Sequence, residues 1–275
     1  LYQTWLTRSE MANLSHIAQG VSDISKLVHH LQRERGASAV FAGTKGAQMR
    51  TELPAQRKLT DEPRSAAMGF LAEFSASVNS DGFKAAVAQA QQAVSALDGT
   101  RRSIDELKIA APVSNTYFTE TIGKLLAVTG EIVKFSTRGD TSAAISSYVS
   151  FMQGKERAGQ ERANGAAGIS EGKFDLAGYV RVLGLRASQE TYFSEFSAAA
   201  TPVQREFFQT TMQGNAVESV MKMRGIIAAG GMTGDLQGLD GKSWFDATTA
   251  RIDLLKAVED RIASDLIGMT SSIQA

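Results

Sequence analysis

Apolar residues recur at three- and four-residue intervals along almost the whole chain, while alternating β-branched runs flanked by turn residues are scarce. A period near that of the α-helix turns one face of each segment toward a core, so the chain reads as all-α. Breakers divide it into about eight helical stretches, over roughly 3–43, 47–78, 82–110, 114–138, 141–169, 174–198, 202–229 and 243–273. The punctuation has local causes. "NSDGF" offers Ser80 or Asp81 as an N-cap, "APVSNTYF" has a proline that ends one helix before Ser114 caps the next, and "RGDTSAA" pairs a glycine stop with an Asp/Thr start. Pro54 and Pro63 predict a kink or a late start in the second stretch, and the glycine-rich "AAGGMTGDLQGLDGKSW" over 228–243 reads as an interhelical loop.

The stretches repeat. "ERGASA" from Glu34 is echoed by "ERANGAAG" from Glu161, which sets Arg35 against Arg162 at an offset of 127 residues. "YFTETIGKLLAV" from Tyr117 and "WFDATTARIDLLKAV" from Trp244 begin at the same offset, each as an aromatic-Phe opening of an amphipathic helix. The expected architecture is therefore two linked four-helix bundles produced by internal duplication, with halves of roughly 1–139 and 140–275.

Composition narrows what such bundles can do. Lys plus Arg (29) equals Asp plus Glu (29), so no global field draws nucleic acid or an anionic membrane, and an anion must be met locally. The absence of Cys rules out disulfides, thiol catalysis and thiolate-bound metal, and three His without a spaced partner set argue against zinc. No serine, histidine and acid are arranged as a nucleophile system and no carboxylate pair sits on an apolar face, so the sequence supports neither an enzyme nor a cofactor. No run approaches the ~18–20 apolar residues of a membrane span.

The informative residues are arginines inside apolar stretches. Side chains at i±3 and i±4 share a helix face, so neighbours report where an arginine points. Arg35 (Leu31, Gln32, Ser38, Ala39), Arg162 (Ala158, Gly159, Gly165, Ala166) and Arg224 (Val220, Met221, Ile227, Ala228) should face inward, whereas Arg33 and Arg157 should face water. A buried guanidinium stays charged and must be compensated. Either a carboxylate such as Glu34, Glu161 or Glu218 pairs with it, or its head snorkels to solvent, or several guanidiniums converge on a small flat oxyanion whose coplanar oxygens match the planar fork. The small residues beside Arg35 and Arg162 leave room for a ligand or for close helix approach.

At these residues the chain resembles the nitrate- and nitrite-sensing (NIT) domains of bacterial receptors. The resemblance rests on "LVHHLQRERGASAVFAG", "GQERANGAAGISEGKF", "VMKMRGIIAAG" and "WFDATTARIDLLKAVEDRIASDL", which together span nearly the whole chain in order. It implies an all-helical sensor of two four-helix bundles that binds nitrate or nitrite between them and is fused to an output module of chemoreceptor, kinase, cyclase or antiterminator type. It also implies ligand recognition by Arg35, Arg162 and Arg224, with no direct nucleic-acid binding by this part. The second motif departs from the pattern, with Ala163 where the first has Gly36.

Other features have plainer readings. Met221 and Met223 with Phe207 and Phe208 read as core at helical spacing, and His29 and His30 as a solvated pair. The long helical patterns at both ends suggest a domain excised from between membrane spans, hence an extracytoplasmic, periplasmic part of a membrane-anchored receptor, with a cytoplasmic placement as the alternative. A homodimer is expected by analogy with such receptors. The rival functions are a helical receptor for another small anion such as a carboxylate, and an adaptor whose arginines form ion pairs and bind nothing.

Overall fold

The computed structural model describes residues 2–135 and 139–272, so the last three residues of the expected 114–138 stretch and residue 273 lie outside the described residues. The described chain is helical, in the order α1 (Tyr2–Gly43), α2 (Glu52–Ser77), α3 (Asp81–Ser95), α4 (Leu97–Asp105), α5 (Ala111–Ile132), a 3-10 turn (Val133–Phe135), α6 (Gly139–Ser170), α7 (Leu176–Ala199), α8 (Pro202–Thr211), α9 (Asn215–Gly230) and α10 (Gly241–Ser272). Two of the eight expected stretches are split. The third breaks at Ala96, where the backbone N–H bonds back to Ala93 and Val94, and the seventh breaks ahead of Gly214, whose φ of 92° only glycine adopts without strain. Counting each split pair as one rod gives four rods in each half.

Local chemistry accounts for most boundaries. Ser80 caps α3 by accepting from Phe83 N, Asp175 caps α7 by accepting from Gly178 N, and Thr201 with Gln204 forms a capping box at α8. The cap expected at Ser114 is corrected: α5 begins at Ala111, because Pro112 belongs to the first turn, where a missing N–H costs nothing. Ser114 is buried inside the helix. The second stretch starts late, at Glu52, and Pro63 is carried within α2. The expected loop shortens to 231–240 because α9 continues to Gly230.

The chain forms two compact units, one running to Ser142 and joined by the chain from Ile267, the other Ala143–Leu266. In the first, α1 packs on α2 and α5, and α3 on α5. Leu14, Ile17, Val21, Ile24, Val28 and Leu31 form the buried stripe of α1, each worth roughly 1.5–3 kcal/mol by burial. An aromatic group fills one end: Phe70 stacks on Phe74 at 5.3 Å, and Phe74 meets Phe83 edge-on at 5.3 Å.

The second unit has its own aromatic group of Phe151, Phe193, Phe196 and Phe208, and a second cluster of Ile169, Phe174, Val182, Ile227, Leu236 and Trp244. Met223 packs against that cluster, but Met221 is 57 % exposed, so its expected place in the core is corrected. Its neighbours Val220 and Ile227 take the inner face of α9 instead.

Glycines on α6 are seats for rings. A Cβ on Gly165 would lie 2.4 Å from the Trp244 ring, and one on Gly168 would lie 2.2 Å from Phe174. The small residues beside Arg162 thus serve close packing of α10 on α6, with Trp244 Nε1 donating to Arg162 O at 2.9 Å. Gly165→Ala should cost about 1–3 kcal/mol through overpacking, read as a lower urea midpoint at unchanged slope. Gly184→Ala on α7, where a Cβ meets nothing within 4 Å, should be neutral or stabilising by up to about 1 kcal/mol.

Candidate functional site

Adjacent residues on a helix point about 100° apart, so a Glu-Arg pair on a buried face must address two different neighbours. In the first unit Glu34, fully buried on α1, addresses α4. Its two oxygens accept from Arg101 Nε at 2.7 Å and Nη2 at 2.9 Å, a bidentate fork. Asp61 on α2 accepts from Arg101 Nη1 at 2.7 Å, and Asp98 lies 3.6 Å from the same nitrogen. Arg57 approaches Glu34 at 3.8 Å and is itself forked on Asp105 at 2.8 and 2.9 Å. Burial presses the Arg101 guanidinium down, and Glu34 and Asp61 more than reverse this, so its pKa lies above the ordinary arginine value. Arg35, 2 % exposed, points instead to α5, where Nη1 donates to Thr119 Oγ1 at 3.1 Å.

The second unit repeats the arrangement. Glu161 on α6 accepts from Arg224 of α9 through Nε at 2.8 Å and Nη2 at 2.8 Å. Arg162 turns to α10: Nη1 donates to Thr249 Oγ1 at 2.9 Å, and its guanidinium lies 4.9 Å from the centroid of the Phe245 ring. In both halves, then, the motif glutamate holds an arginine from the rod two further along, and the motif arginine rests on a threonine hydroxyl of the fourth rod.

The halves differ in what completes the pair. Beside Glu161 stands a neutral residue, Gln189 of α7, which donates from Nε2 to Glu161 Oε1 at 3.1 Å. Gln189 Oε1 accepts from Arg224 Nη2 at 3.2 Å and from Arg251 Nη1 of α10 at 2.9 Å. Burial and the charge of Arg224 push the Arg251 guanidinium down to about 10, with Glu161 opposing. Two turns along the same helices, Lys155 and Glu259 form a buried ion pair at 3.3 Å.

Of the arginines expected to face inward, Arg35 and Arg162 are buried and Arg224 is partly so, with its fork on Glu161. Arg33 faces solvent as expected. Arg157 is corrected: it is half-buried, with its guanidinium 5.1 Å from the Tyr192 ring centroid and a hydrogen bond to Gln153. The solvated histidine pair is corrected too, since both rings are half-buried and His30 Nδ1 meets Gln56 Nε2 at 3.1 Å. Arg101, Gln189 and Arg251 are additions. Thr248, Leu254 and Leu255 at i±3 and i±4 mark Arg251 as inward, the same signal that marks Arg35. An open cavity of about 410 Å³ at the end of α1, lined by Phe41, Lys45, Arg50 and Asp105 among others, includes none of the inward arginines.

The chain is similar to known proteins. The chain is 28 % identical over 268 residues to the nitrate regulatory protein of Klebsiella oxytoca, covering 98 % of this chain and 67 % of that one. The solved structure of the NasR transcription antiterminator matches with a TM-score of 0.88 at 27 % identity, covering 99 % of this chain and 73 % of that one. These relatives correct the expected placement in a membrane-anchored receptor: they are named as regulators, one of transcription, and not as membrane receptors. Among the described residues no helix is long and apolar enough to cross a membrane. The sequence profile described as nitrate and nitrite sensing matches residues 26–267, a span that takes in both Glu-Arg motifs and Arg224, and the chain belongs to that family.

Proposed function

We propose that the chain binds nitrate or nitrite through its buried arginines and conveys binding to a regulatory output as a small shift of the helices that carry them. The observation that carries this reading is the family match over 26–267, which includes Arg35, Arg162 and Arg224. The role is that of a sensor rather than a catalyst. By the relatives named as a nitrate regulatory protein and a transcription antiterminator, the output is transcriptional.

The geometry within each unit supports a mechanism. Arg35 ties α1 to α5 and Arg162 ties α6 to α10 through neutral threonine hydroxyls. An anion is a stronger acceptor than a hydroxyl, and a planar one offers paired oxygens to the guanidinium fork. An ion that engages the guanidinium changes the contact between the two rods at this point, and the proposed response is a shift of one rod on the other by an ångström or two. The ion biases that equilibrium only by its differential affinity for the two arrangements.

Calorimetry with nitrate tests the arginines. Arg35→Ala and Arg224→Ala should each weaken binding about tenfold or more, the worth of one charge-assisted hydrogen bond, with folding checked by circular dichroism. Undiminished binding in both variants would remove the clamp. Selectivity gives a second check, because planar nitrate should outcompete tetrahedral sulfate in a thermal-shift titration, and equal stabilisation by sulfate would indicate a general anion patch.

A further inference from the structure

We propose that Gln189 Oε1 holds the place of a ligand oxygen in the second unit, and that Arg251, together with Arg224, is the guanidinium pair that receives a planar monovalent anion there. The inference rests on the nitrate and nitrite reading above and extends it to two residues, Gln189 and Arg251.

Arg251 is about nine-tenths buried, and among the described residues its one hydrogen bond goes to Gln189 Oε1. The same oxygen accepts from Arg224 Nη2. Two like charges thus meet on one neutral carbonyl, an arrangement that costs free energy unless something further compensates it. In the first unit the arginine on the motif glutamate has further acids instead: Arg101, which forks on Glu34 as Arg224 forks on Glu161, also has Asp61 and Asp98. The hydrogen-bonded group of Glu161, Gln189, Arg224 and Arg251 holds one carboxylate against two guanidiniums, an excess of one positive charge. The depressed pKa of Arg251 agrees with under-compensation, and at about 10 the group remains charged at neutral pH.

The excess defines the ligand class as a monovalent anion. Arg224 spends its Nε and one side of Nη2 on Glu161, which leaves the edge facing Gln189 to bind. A planar ion entering at that edge sets one oxygen where Gln189 Oε1 stood, between Nη2 of Arg224 and Nη1 of Arg251. The displaced amide keeps a partner, because Gln189 Nε2 also donates to Leu185 O at 3.1 Å. Binding therefore detaches α7 from α9 and α10 at this point and joins α9 to α10 through the ion.

Thermal melting and calorimetry of the whole chain against sodium nitrate, nitrite, formate and sulfate test this with Arg251→Gln and Gln189→Glu. Arg251→Gln should weaken nitrate binding about tenfold or more without lowering the melting temperature in anion-free buffer, because it removes an under-compensated charge. Gln189→Glu should flatten the nitrate response, because a fixed carboxylate takes the ion's place. Wild-type nitrate affinity in Arg251→Gln overturns the proposal. Should Arg251→Gln fail to fold, a wild-type nitrate response in Gln189→Glu overturns it instead, and a flattened one supports it. A wild-type chain that answers formate but neither nitrate nor nitrite defeats the function proposed above, while loss of the formate response in Arg251→Gln keeps the present assignment. A chain that answers no anion overturns both.

Discussion

A glutamate and an arginine placed side by side on a buried helix face cannot serve one another, and the structure follows from where each is sent. Glu34 and Glu161 are tied by bidentate forks to arginines on another rod of their own unit. Breaking such a buried pair costs roughly 3–5 kcal/mol, because the surviving charge is left without a partner, so these forks fix which rods are neighbours. Arg35 and Arg162 are sent the other way, to threonines on the fourth rod. A hydroxyl holds a guanidinium in position far less tightly than a carboxylate does. One residue of the motif therefore builds the unit, and the next reaches a different rod.

The all-α fold was legible because it rests on period, which survives in one dimension, and the repeated Glu-Arg motif pointed to the forks that Glu34 and Glu161 both make. Leu14, Ile17, Val21 and Ile24 reveal the face of α1 without reference to any other segment, and Arg35 and Arg162 reveal theirs. What needed three dimensions was partnership. Nothing in "SALDGTRRSIDEL" announces that Arg101 will close on Glu34, because the two are separated by 67 residues and the choice between Arg101 and Arg102 depends on the turn at Ala96. Gly165 was legible as small but not as a seat for Trp244, since open space and close contact favour the same residue. Arg251 had a readable signal in Leu254 and Leu255, hidden because the segment's aromatic opening and apolar run already explained it as a core helix.

Divergence between the halves is concentrated in their polar centres. The first half sets Asp61, Asp98 and Asp105 against Arg57 and Arg101, so these two arginines are met by acids beyond Glu34. The second half has Gln189 where an acid would complete the set. Each unit also has apolar and aromatic clusters apart from its central charges, so the polar centre of one can relax while those clusters persist.

That relaxation bears on how a weakly basic ion can drive a conformational change at all. Moving a two-state equilibrium from one per cent to ninety-nine per cent requires about 5.5 kcal/mol of differential affinity. A hydrogen bond to a charged group contributes roughly 1.5–3 kcal/mol net. One guanidinium therefore falls short, and two acting together reach the requirement only if they were poorly served beforehand. Guanidiniums already closed on carboxylates would gain little from the ion, and guanidiniums standing in water would have to be stripped of it first. Arg251, held with Arg224 on one amide oxygen, out of water and without a carboxylate of its own, stands between these extremes. On the binding proposed for this pair, stability forgone in the uncombined protein is the source of the energy that an arriving ion would release.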